Sequence, residues 1–126
     1  MNNPKIEASR YTPEIFLDCE KNLFVMRGDS YPEDIEEFYQ PVLSSLKSHL
    51  DHLKGHPFVA DMELIYFNSG TARVLTDMFD MLEEASTGNI VINWVYDEEN
   101  ESAEEFGEEF QEDLESLEFN LVQIER

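Results

Sequence analysis

The sequence predicts an α/β domain, a mixed five-stranded sheet with three helices in the order β-β-α-β-α-β-α-β. Two observations carry this. Apolar residues recur at three- and four-residue spacing in three stretches, and short apolar runs of strand length lie between and around them. Strands separated by helices pair in parallel through right-handed crossovers, while an opening hairpin supplies an antiparallel member.

Each element has its own signal. Residues 1–12 are polar and carry Pro4, with Pro13 next, which reads as a loose N-terminal arm. Ile15–Cys19 and Leu23–Arg27, separated by Glu20, Lys21 and Asn22, form the hairpin. From Asp34, the residues Ile35, Phe38, Tyr39, Val42, Leu43, Leu46, Leu50 and Leu53 share one helix face, and Gly55 ends the helix. Pro41 falls inside this pattern. It removes a backbone donor and crowds the preceding turn, so a kink or a one-turn start is expected there. Phe58–Phe67 alternates as a strand before becoming apolar on both faces. Val74, Leu75, Met78, Met81, Leu82 and Ala85 mark a second helix that stops near Gly88. Ile90–Tyr96 reads as a central strand with two apolar faces, covered on both sides. Ala103, Phe106, Phe110 and Leu114 give the third helix, with Ser102 and Glu105 at capping-box spacing. Leu117–Ile124 supplies the last strand.

A chain of 126 residues, 41% hydrophobic, is read as a single domain spanning residues 1–126. At that size it buries roughly two thirds of its unfolded surface without disulfides or metal. Cys19 is the only cysteine, no leader-like segment opens the sequence, and no apolar run approaches the roughly 20 residues a membrane span requires. A reducing cytoplasm is the expected location. The formal net charge is −21, from 29 acidic against 8 basic residues. That balance opposes nucleic-acid phosphates and anionic lipid alike, so neither nucleic acid nor membrane is an expected direct partner. A mimic of DNA would also be acidic, but here the charge is concentrated late in the chain.

Parallel strands gather the turns after their C-terminal ends along one sheet edge, where sites in α/β folds usually form. Three distinctive turns fall there: GDSYPE at 28–33, NSGT at 68–71 and YDEEN at 96–100. Ser69 stands at or just before a helix start. Its hydroxyl has three available roles there: capping a free backbone N–H, attacking as a nucleophile, or carrying a phosphate that the helix N-terminus tolerates. A nucleophile needs a base. The histidines His49, His52 and His56 lie at the far end of the first helix and the loop after it, which enters the third strand at the opposite edge, and no nucleophile-elbow glycine spacing surrounds Ser69. An enzyme is therefore not expected. His49 and His52 lack a completing ligand pattern for a metal, and no metal or cofactor is expected. Asp77, Asp80, Glu83, Glu84 and most of the acidic run from Glu98 to Glu118 read as solvated helix faces, and Arg27-Gly28-Asp29 as a strand end and turn.

Two resemblances meet at these turns. The strand-serine-helix device looks like the phospho-acceptor region of STAS-type anti-anti-sigma factors, which implies a STAS-like fold and, as an alternative function, sequestration of an anti-sigma kinase. A second resemblance covers nearly the whole chain. GDSYPE at 28–33, LIYFNSGT at 64–71, DMFDMLEEA at 77–85, WVYDEENE at 94–101 and EEFQED at 108–113 together resemble the SiaC family of bacterial regulatory phosphoproteins. That resemblance implies a non-enzymatic switch. A cognate serine/threonine kinase phosphorylates the hydroxyl residue after the third strand and a PP2C-type phosphatase removes the phosphate. The unphosphorylated form binds and activates a diguanylate cyclase, and so controls cyclic-di-GMP and biofilm formation. The acceptor position falls on Ser69. The family form Asn-Thr-Ser-Ser is replaced here by Asn68-Ser69-Gly70-Thr71, which keeps Thr71 as a second candidate. A partner sensing this position is expected to touch Asp29, Tyr31, Asn68, Gly70, Arg73, Asp77 and Asp97.

Overall fold

The computed structural model describes residues 4–125. Its elements are β1 (Lys5–Ile6), β2 (Glu14–Asp18), β3 (Leu23–Ser30), α1 (Ile35–Asp51), β4 (Phe58–Phe67), α2 (Ser69–Ala85), β5 (Ile90–Asp97), α3 (Glu101–Asp113) and β6 (Glu118–Ile124). The three helices and mixed sheet of the expected α/β class are present, with six strands where five were expected. The additional strand is Lys5–Ile6, antiparallel to β2. Two residues, one of them charged, offer no alternation to read. They lie in the stretch expected as an N-terminal arm, whose first three residues fall outside the described ones.

The strands stand side by side in chain order, β1-β2-β3-β4-β5-β6. β1 to β3 pair antiparallel, and β3 to β6 pair parallel. Right-handed crossovers that always step in the same direction place all the helices on one face. Burial follows this geometry. Phe58, Ala60, Met62 and Leu64 of β4 and Ile90, Ile92, Trp94 and Tyr96 of β5 are buried, while the residues between them are half-buried. The reading of β5 as a strand covered on both sides is thereby corrected. Val91 and Val95 are apolar, but β-branched residues also suit a pleated, half-wet surface, so residue type alone does not report a second cover. On this open face the register sets Asp61, Asn93 and Asn120 in a row. Asn93 Nδ2 donates to Asp61 Oδ1 at 2.8 Å and Asn120 Nδ2 donates to Asn93 Oδ1 at 3.0 Å, a polar ladder across three strands.

Under the helices, fully buried Trp94 anchors an aromatic cluster with Phe79, Phe110 and Phe119. Its indole N–H donates to the Ala103 carbonyl at 2.8 Å. α3 presses against this ring through Gly107, where an added Cβ would stand 2.6 Å from Trp94 Cδ1 and 2.6 Å from Leu121 Cδ2. Glycine is required there by close approach, at the usual cost of a glycine inside a helix.

The helix starts refine the expectations. α1 runs through exposed Pro41 without a break, and Asp34 Oδ1 caps it by accepting from Glu37 N at 3.1 Å. α3 is capped by Asn100, whose Oδ1 accepts from Ala103 N at 3.2 Å, in place of the capping box read at Ser102. Asn100 outcompetes Ser102 because its amide also reaches sideways, donating to the Ile65 carbonyl at 2.8 Å and tying the α3 start to β4.

Candidate functional site at the C-terminal sheet edge

Ser69 is the first residue of α2, and it is exposed. Asn68 is the cap: its side-chain oxygen accepts from Thr71 N at 2.9 Å and its carbonyl accepts from Ala72 N at 3.0 Å. Among the described residues, no hydrogen bond involves the Ser69 hydroxyl. Capping therefore does not account for a serine at this position. The N–H groups of Ser69 and Gly70 precede the helical ladder and point outward at the positive end of the α2 dipole, a setting that favours an anion.

Thr71 sits two residues further on in an opposite environment. It is fully buried, donates to the Ser30 carbonyl at 3.0 Å, and lies 2.8 Å from Ser30 Oγ, which in turn bonds Tyr39 OH. Because the Thr71 proton goes to the carbonyl, Ser30 donates to Thr71 and Tyr39 donates to Ser30, one continuous chain of donors. Burial pushes the Tyr39 phenol up to about 12 against the opposing effect of the neighbouring Ser30 and Thr71 hydroxyls, which keeps its proton in place. This network pins α2 to the end of β3. A hydroxyl committed in this way is not presented to an enzyme.

The other expected contact residues fall into two adjoining regions. On the helix side, Arg73, Asp77 and Gly70 line a groove of about 640 Å³ between α2 and α1, with Ile35, Tyr39 and Leu43 opposite. Arg73 makes no ion pair among the described residues. On the strand side, Asn68 N donates to the Ser30 carbonyl at 3.2 Å, which joins the NSGT and GDSYPE turns. Asp97 Oδ1 accepts from Glu99 N at 2.8 Å, ordering the YDEEN turn. Asp29 is half-buried in β3 and, by strand alternation, faces away from the helices that Ser30 meets. Tyr31 is held edge-on between Tyr11 and Tyr66. The sequence reading missed Tyr11, Tyr66 and the Ser30–Tyr39–Thr71 network. Only the first two had a signal, as aromatic residues breaking otherwise polar or alternating stretches.

His49 lies at the far edge, with Nε2 2.8 Å from Asn22 Oδ1 in the β2–β3 turn; burial and neighbouring His52 lower its pKa. Among the described residues, no group of three or more His, Cys, Asp or Glu side chains is placed to hold a metal. Among the described residues no helix is long and apolar enough to cross a membrane.

Gly70 has room for a side chain, since an added Cβ would rest 3.6 Å from both Ile35 Cδ1 and Asn68 Oδ1, ordinary contact distances. Gly70→Ala should therefore leave the melting temperature unchanged or raise stability by up to about 1 kcal/mol. Thermal denaturation checks this, and a lower melting temperature would show that glycine is structurally required.

The chain is a one-faced α/β domain that presents an exposed serine at the first position of a helix on its C-terminal sheet edge. More particularly, the chain belongs to the SiaC family: the model of the SiaC family regulatory phosphoprotein matches residues 6–124. It is 34% identical over 115 residues to an uncharacterized protein of Pseudomonas aeruginosa strain UCBPP-PA14, covering 90% of each chain. Apo-SiaC from Pseudomonas aeruginosa superposes with a TM-score of 0.88 at 32% identity, over 98% of this chain and 100% of that one. The crystal structure of the diguanylate cyclase SiaD in complex with its activator SiaC, also from Pseudomonas aeruginosa, contains a chain that superposes equally well. Its TM-score is 0.88 at 32% identity, over 96% of this chain and 99% of that one.

Proposed function

We propose that this regulatory phosphoprotein binds and activates a diguanylate cyclase in its unphosphorylated form, and that phosphate on Ser69 ends the interaction. Cyclic-di-GMP and biofilm formation are then the downstream outputs. The reading is supported by the relative that is crystallised as the activator of its cyclase. It has a cognate serine/threonine kinase adding the phosphate, a PP2C-type phosphatase removing it, and no catalytic role for the chain itself. The working location is the cytoplasm, where a cyclase has its nucleotide substrate. The single observation that carries the switch is the exposed, unbonded Ser69 hydroxyl at the first position of α2, beside a Thr71 that is fully buried.

Arg73 supports the same assignment. It stands one helical turn after Ser69, at the i,i+4 spacing where side chains meet, and it is exposed. A phosphate on Ser69 gains a guanidinium partner there in addition to the helix dipole. Incubation with the cognate kinase, followed by phosphopeptide mass spectrometry, should place the phosphate on Ser69. A phosphate confined to Thr71, or absent from this turn, would falsify the assignment.

A further inference from the structure

Among the described residues the exposed large apolar side chains are Tyr11, Ile65, Tyr66 and Val122. Three of these gather beside the switch, and the backbone explains why. Gly28 of β3 pairs with Leu64 and Ser30 with Phe67, so β4 spends one more residue than β3 over the same stretch. This bulge turns Ile65 and Tyr66 outward together, with exposures of 53% and 57%. Tyr66 then packs edge-on against Tyr31, with ring centroids 5.3 Å apart, and Tyr31 against Tyr11 at 5.2 Å. The Tyr31 N–H donates to the Tyr11 carbonyl at 2.8 Å, so the segment before β2 is fastened to this ladder. The rings are ordered before any partner arrives, which lowers the entropy that binding costs.

Next to the ladder the sheet opens. The β4–β5 register ends at Met62 and Trp94, and beyond it a cleft of about 450 Å³ is lined by Ile65, Tyr96, Asp97, Glu99 and Asn100. Aromatic faces beside carboxylates are the surroundings that a guanidinium seeks, since it stacks on the first and pairs with the second. In a chain of net charge −21, a second copy is a poor occupant and a basic surface a good one.

We propose that Tyr11, Tyr31, Ile65 and Tyr66 form a preordered docking surface for a basic, arginine-bearing segment of the partner protein, with Asp97 and Glu99 receiving its charge. The surface is continuous with the acceptor, because Tyr66, near the end of β4, precedes Ser69, the first residue of α2, by only three residues. The inference rests on the proposed function for the identity of the partner. It adds where the affinity comes from.

The test is calorimetric titration of the cyclase with the unphosphorylated full chain. The variants are Tyr66→Ser, Tyr11→Ser, Tyr66→Phe, Asp97→Asn with Glu99→Gln, and Val122→Ser as an exposed apolar control on the open sheet face. Tyr66→Ser should weaken binding about tenfold or more, as loss of an aromatic anchor does, and Tyr11→Ser by several-fold. Tyr66→Phe and Val122→Ser should bind as wild type does. The carboxylate pair variant should lose several-fold at low salt, with the difference shrinking as ionic strength rises. Wild-type binding with both serine variants unaffected overturns this inference and leaves the proposed function standing. A wild-type chain that does not bind the cyclase overturns both.

Discussion

Phosphorylated protein should bind the cyclase at least about tenfold more weakly than the unmodified protein. A phosphoserine carries about −1.5 to −2 charges at neutral pH and a strongly held hydration shell. In the free chain it is accommodated, because Ser69 opens α2, where the helix dipole is positive, and Arg73 is one turn away. At an interface packed around a bare hydroxyl the same group must shed water. Each 1.4 kcal/mol is about tenfold in affinity, and an uncompensated charge at a buried interface typically costs several kcal/mol. With the partner's basic segment engaged by Asp97 and Glu99 and the surface over Ser69 packed against a bare hydroxyl, phosphate should release the partner, and Ser69→Ala should stay bound. Calorimetric comparison of the two forms checks the magnitude.

Trp94→Ala should cost about 3–5 kcal/mol and Gly107→Ala about 1–3 kcal/mol, the ranges for a large core deletion and for overpacking. Both act on one contact. Trp94 fills the space beneath α3, and the missing Gly107 side chain is what lets the helix come that close. A Cβ 2.6 Å from the indole displaces a ring that also donates to Ala103, so the strain reaches the hydrogen bond as well. Urea denaturation should show a lower midpoint at an unchanged slope for each variant. A Gly107→Ala midpoint equal to wild type would mean that α3 is held by something other than this contact.

The helices were legible because their apolar residues repeat at the helical period, and the strands because short apolar runs fall between glycine and asparagine punctuation. Coverage of the sheet was not legible. Val91 and Val95 satisfy both a buried strand and a one-sided one, and only the sequential strand order decides between them. Lys5–Ile6 escaped because pairing, not pattern, makes it a strand. At the site, the three turns were found through their position after parallel strands, a rule of topology. Which hydroxyl was already in use was hidden, since the Thr71 partners lie 41 residues earlier in the chain, at Ser30. Nor does local spacing reveal that Asn68 takes the cap and leaves Ser69 unbonded, because both are good capping residues. The Tyr11–Tyr31–Tyr66 ladder needed the bulge in β4 to bring it together.

The central claim, that one phosphate on Ser69 controls partner release, is tested most directly by a reversible cycle on a single sample. The cyclase complex is formed with wild-type protein, treated with the kinase and ATP, then with the phosphatase, and the bound fraction is followed at each stage beside the same series with Ser69→Ala. The account predicts bound, released and rebound for wild type, and bound throughout for Ser69→Ala. Release of Ser69→Ala by the kinase, or a wild-type complex that stays intact with Ser69 stoichiometrically phosphorylated, would contradict it.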